Sequence, residues 1–163
     1  MFGWLRRLFA PRNPYLQLRQ MALSAQAKDL GLKPTEKRPA IWGILMEFCV
    51  EQATVTLLVM ADKTISLYFS NGGGVIGAGE HREVALAGSR LIQIANRLHR
   101  GFRPVTDFPL PNSGSVQFYV LTFQGVAGAK ARERELEEGH HPLSALFVEG
   151  HEVIAAIREQ TGG

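Results

Sequence analysis

Cysteine is almost absent from this chain of 163 residues: Cys49 stands alone. A single thiol excludes an internal disulfide and a four-cysteine zinc site, and it makes a reducing compartment, the cytoplasm, the expected setting. No apolar run approaches the roughly 18 residues that a membrane-spanning helix needs. There is no His-Glu-x-x-His, no Gly-x-Ser-x-Gly elbow and no Gly-Lys-Ser/Thr loop. Their absence removes the usual signatures of zinc proteases, α/β-hydrolases and P-loop ATPases. Acid is missing from the first 28 residues, where Arg6, Arg7, Arg12, Arg19 and Lys28 all precede the first carboxylate, Asp29. The net charge of +3 therefore belongs to that end, and the remainder is slightly acidic. Such a distribution gives no reason to expect a nucleic-acid surface on the body.

What is present suffices for one core. Apolar residues make up 45% and charged residues 20% of the chain, too apolar for a disordered chain and too short for two comfortable domains. Residues 1–13 read as a basic amphipathic tail and 14–163 as a single α+β domain. In the tail, Leu5, Leu8 and Phe9 share one helical face with Trp4 beside it, while Arg6 and Arg7 point away, and Pro11 stops the helix. Such a segment folds back on its own domain, docks a partner, or makes weak contact with an anionic membrane surface.

Residues 14–30 carry a broken helical stripe ended by Gly31, which suits a left-handed cap. Residues 41–70 read as a three-stranded meander, because their short links permit only antiparallel neighbours. In the first strand Trp42, Ile44, Met46, Phe48 and Val50 fall on one face, with Ile41, Leu45, Glu47 and Cys49 on the other. The third strand alternates with Ile65, Leu67 and Phe69 inward and Ser66, Tyr68 and Ser70 outward. Residues 80–100 form an amphipathic helix, residues 115–124 a strand apolar on both faces, 130–138 an exposed helix or lid, and 142–160 a last helix. The expected fold is a mostly antiparallel sheet of about five strands with three main helices. That order resembles profilin-like and roadblock-like sandwiches and departs from them after the middle helix, where a single strand is read; a likeness of order carries no function.

The densest local signal is the run from Ser70 to Gly79, with glycine at 72, 73, 74, 77 and 79. Gly72-x-Gly74-x-x-Gly77 formally matches the dinucleotide fingerprint. Against that reading, the preceding strand belongs to hairpins, Glu80 places a carboxylate at the following helix start, and Asn71-Gly72 is a strong hairpin signal. A hairpin is expected. The alternative is a ligand cradle in which Gly72, Gly73, Gly74, Gly77, Gly79 and His81 meet a phosphate or small molecule.

The remaining chemistry is sparse. His140 and His151 lie about 16 Å apart by helical rise, too far to share one ion. Glu47 and Glu51 lie roughly 13 Å apart by strand rise, beyond the span of a glycosidase pair. Neither a cofactor nor a metal is expected, and no catalytic set emerges. The leading expectation is a non-catalytic cytoplasmic interaction protein that binds a protein partner or itself, with Trp4, Leu5, Leu8, Phe9, Arg6 and Arg7 as interaction residues. The alternatives are an enzyme or sensor built on the glycine loop, and a peripheral membrane protein held through residues 1–12.

Overall fold

The computed structural model describes residues 13–34 and 40–162. Trp4, Leu5, Arg6, Arg7, Leu8 and Phe9 lie outside the described residues. The chain enters helix α1 (Tyr15–Ser24), followed by a 3-10 turn that Gly31 closes in the left-handed conformation. Strand β1 (Ile41–Val50), β2 (Ala53–Met60) and β3 (Ile65–Phe69) form the expected meander, and a glycine turn leads to the short β4 (Gly74–Val75). Helix α2 (Arg82–Arg97) follows, then β5 (Arg103–Pro104), β6 (Ser115–Thr122), β7 (Gly125–Arg132), the short α3 (Glu133–Glu137) and α4 (Ser144–Gln160). All strands join one antiparallel sheet in the order β4-β3-β2-β1-β6-β7-β5.

The α+β class and the three main helices match the sequence reading, and the sheet holds seven strands where about five were expected. Two of the seven, β4 and β5, are two-residue edge pieces. Beside β5, the unexpected strand is β7, whose Gly-Val-Ala-Gly-Ala-Lys-Ala-Arg sequence has little intrinsic strand preference. Continuous pairing with β6, from Ser115 opposite Arg132 to Thr122 opposite Gly125, overrides that preference. The stretch 130–138 is accordingly the end of a strand plus a short helix.

The sheet is buried on both sides. On the first face Ile44, Met46, Phe48, Leu57, Ile65, Leu67, Phe118 and Val120 pack under α2 and α4. Glycine lets both helices approach: a Cβ at Gly88 would meet Ile65, and one at Gly150 would meet the Met46 thioether, each at 2.6 Å. On the second face Leu45, Leu58, Tyr68, Tyr119 and Leu121 pack under α1 and the loop carrying Val105 and Phe108. Ser66 and Tyr68, read as outward, are therefore buried too.

A bulge explains a second correction. Ile41 lies opposite Thr122 and Gly43 opposite Leu121, so β1 carries one extra residue at Trp42. The alternation flips there: Ile41 joins Ile44 and Met46 on the first face, and Trp42 joins Leu45 on the second. The Asn96 side chain of α2 ties down the bulge, accepting from the Ile41 N–H and donating to the Ile41 carbonyl, both at 2.9 Å.

The second face is pinned by one buried ion pair. Arg19 of α1 donates to both carboxylate oxygens of Glu47 at 2.8 and 2.9 Å, and again to the Phe108 carbonyl at 2.9 Å. The Thr56 hydroxyl also donates to Glu47 at 2.7 Å and so accepts from the Tyr15 hydroxyl at 2.6 Å. Burial, with the Glu47 carboxylate beside them, pushes the Tyr15 and Tyr119 hydroxyls up to about 12, so both stay protonated donors. Tyr119 donates to the Pro109 carbonyl at 2.6 Å. Helix, strand and loop are thus held by one network in which every charge is partnered.

Removing Arg19 strands a fully buried carboxylate. The Arg19→Ala variant is expected to lose about 3–5 kcal/mol in urea unfolding. The double change Arg19→Met with Glu47→Leu should lose less than Arg19→Ala alone, since it removes both charges. A loss below about 1 kcal/mol for Arg19→Ala, the range of an exposed pair, would contradict the assignment.

Candidate functional site

The glycine run is spent on chain geometry. Gly72 and Gly73 take positive φ of 99° and 92°, which a side chain would strain. The Gly72 N–H donates to the Phe69 carbonyl at 3.0 Å, and the Gly73 carbonyl accepts from the Phe69 N–H at 3.2 Å. Gly74 pairs with Tyr68 as part of β4. Gly77 caps a 3-10 turn in the left-handed conformation, and Gly79 lies against the Lys63 carbonyl, where no Cβ would fit. His81 is the exposed N-cap of α2, and its N–H donates to the Ala78 carbonyl at 3.2 Å. None of these residues lines the groove described below.

The other candidates also resolve into local roles. His99 Nδ1 lies 2.9 Å from the Asn96 carbonyl, His140 lies beside Glu138 at 3.4 Å, and His141 Nδ1 accepts from the Leu143 N–H at 3.0 Å. Among the described residues no three of His, Cys, Asp and Glu gather as a metal site. The Cys49 thiol donates to the Pro111 carbonyl at 3.5 Å. Arg90 pairs with Glu149 across α2 and α4, and Arg103 donates to the Arg100 carbonyl at 2.9 Å.

What the fold does open is a groove. It lies at one end of the first face, between the β1–β2 hairpin, the end of β3 and the C-terminal half of α4, with a volume of about 830 Å³. Phe48, Val55, Leu67, Phe69 and Ile154 give it apolar walls, Val50 forms an exposed rim, and Glu51, Asn71 and Arg158 add polar groups. Glu51 sits at the hairpin tip with a left-handed φ of 56°. Arg158 makes no ion pair among the described residues.

His151 forms part of the α4 wall. Its ring lies 4.5 Å from Phe147 and 5.0 Å from Phe48, and its Nε2 is buried with no hydrogen-bond partner among the described residues. Burial lowers its pKa below the ordinary 6.5; Glu137 nearby opposes the shift and Arg158 reinforces it. Neutral His151 therefore packs as an aromatic, at the cost of an unpaired nitrogen.

The arrangement suits capture of an apolar group more than chemistry. Among the described residues no nucleophile stands beside a base in the groove, and no pair of carboxylates faces across it. The sequence reading weighed His151 only as a metal ligand and missed the groove. A signal was present: Phe147, His151, Ile154 and Arg158 recur at helical spacing, which places a histidine in the buried stripe of a helix and an arginine at its end. Phe48 and Phe69 come together only through strand pairing, with Val55 opposite both. No family model, curated protein or solved structure matches the chain.

The His151 environment has a pH consequence. The folded state holds the ring neutral while the unfolded chain protonates it near 6.5, so the unfolded state binds more protons below that pH. The contribution of His151 is complete above about 6.5 and is lost as pH falls through its lower folded value. His151→Phe should therefore flatten the decline of stability below pH 6.5 and stabilise the protein more at pH 5 than at pH 8, measured by urea unfolding at each pH. An unchanged pH profile would contradict the buried neutral ring.

Proposed function

We propose that this protein is a non-catalytic interaction module whose groove at the end of the first sheet face receives an apolar segment of a polypeptide. The observation that carries the reading is the groove itself: mainly apolar walls from three strands and a helix, an exposed Val50 rim, and few polar groups. Apolar concavities of several hundred cubic ångströms with a few polar groups are the usual form of binding sites. The outermost strands, β4 and β5, are two residues each, and such short edge strands resist strand addition. The ligand-cradle alternative gains no support from the glycine loop, whose residues serve a hairpin, a cap and close packing.

The test is selection of displayed twelve-residue peptides on the immobilised full chain, with a parallel thermal-shift screen of nucleotides and phosphorylated metabolites. Selected peptides are expected to carry spaced apolar residues and to lose at least tenfold in affinity for Val50→Asp, a rim change that leaves the core intact. Selected binding that ignores Val50→Asp, or a nucleotide shift without any peptide binding, would overturn the proposal.

A further inference from the structure

We infer that the groove is occupied in cis by residues 1–12 of this same chain, and that a partner segment binds by displacing them. This inference rests on the reading of the groove as a polypeptide-binding surface. Three observations point to this occupant.

The first is where the described chain begins. Asn13 is fixed at both ends of its amide: Oδ1 accepts from the Tyr15 N–H at 3.1 Å, opening α1, and Nδ2 donates to the Ser70 carbonyl at 2.6 Å. Ser70 is the residue before Asn71, which lines the groove. Ser70 is itself locked to β2, its N–H donating to the Thr54 carbonyl at 2.9 Å and its hydroxyl accepting from the Thr54 N–H at 2.7 Å. Asn13 is thereby anchored to the residue next to the groove lining.

The second is length. Twelve residues reach about 40 Å when extended and about 18 Å as a helix, and either exceeds the step from Ser70 to its neighbour Asn71. A segment tethered so close acts at a high effective concentration, so weak contacts suffice to hold it.

The third is composition. Trp4, Leu5, Leu8 and Phe9 match the apolar walls of Phe48, Val55, Leu67, Phe69 and Ile154. At helical spacing Arg6 and Arg7 fall opposite that apolar set, so the apolar side chains can be buried without burying the two charges.

The two tryptophans make the test direct. Trp42 is 2% exposed and gives little signal to a soluble quencher. Acrylamide quenching of the intact chain therefore reports Trp4. The expected result is shielded emission that is independent of protein concentration, with the protein sedimenting as a monomer. Val50→Asp should raise the quenching constant several-fold and shift the emission to the red. Leu8→Asp with Phe9→Asp should do the same while leaving the unfolding midpoint nearly unchanged.

Freely quenched Trp4 in the unmodified chain overturns the inference, as does shielding that Val50→Asp leaves in place. Shielding that appears only as concentration rises, with a dimer in sedimentation, assigns the groove to a second copy and overturns it as well. Peptide selection repeated on the Leu8→Asp, Phe9→Asp chain separates the two levels. Selected peptides that bind at the groove there, with Trp4 exposed in the unmodified chain, leave the interaction reading standing and sink only the cis occupant. Failure of any peptide to bind that variant sinks the reading of the groove itself.

Discussion

A sheet whose strands are apolar on both sides must be covered on both sides, and the cover of the second face is held by the Arg19–Glu47 pair. That face is roofed by one ten-residue helix and an irregular proline-rich loop, neither of which would hold its place on propensity alone. Arg19 reaches the strand carboxylate and the Phe108 carbonyl from one guanidinium, so it fixes both pieces of the roof to the centre of the sheet. A buried pair of this kind contributes more to uniqueness than to net stability: a same-sized apolar pair would satisfy the volume but not specify the position of helix and loop. We read the network as a register device for the roof.

The first face is covered differently and less completely. Two long helices lie across it, brought close by Gly88 and Gly150. They leave the end formed by the β1–β2 hairpin open, so that one apolar surface is continuous from the core to a rim where Val50 is half exposed. The same end receives the chain at Asn13. Roof and groove are thus coupled by topology, because the pair that positions α1 also positions the point from which residues 1–12 depart.

Much of this was legible in the sequence. The meander, the middle helix, the Gly31 cap and the last helix follow from periodicity and turn chemistry. The hairpin at Asn71-Gly72 follows from two residues. What escaped had physical causes. Strand β7 is built of glycine and alanine, and only the partner strand makes it a strand. The faces of Ile41 and Trp42 were exchanged because a bulge is invisible to strict alternation. Glu47 signals itself as a lone acid deep in an apolar strand, yet its partner sits 28 residues earlier on a helix whose cations gave no sign of pairing with it. The groove needs the ends of three strands and a helix to meet, which no local pattern encodes.

The account comes down to whether the open end of the first face is a binding surface already filled by this chain. Nuclear Overhauser contacts in the methyl-labelled full chain address it most directly. Cross-peaks from the aromatic protons of Trp4 or Phe9 to the methyls of Val55, Leu67 and Ile154 are the result expected. Methyls at those positions that see only their neighbours in the sheet and α4, while broadening with a soluble paramagnetic agent, would contradict it.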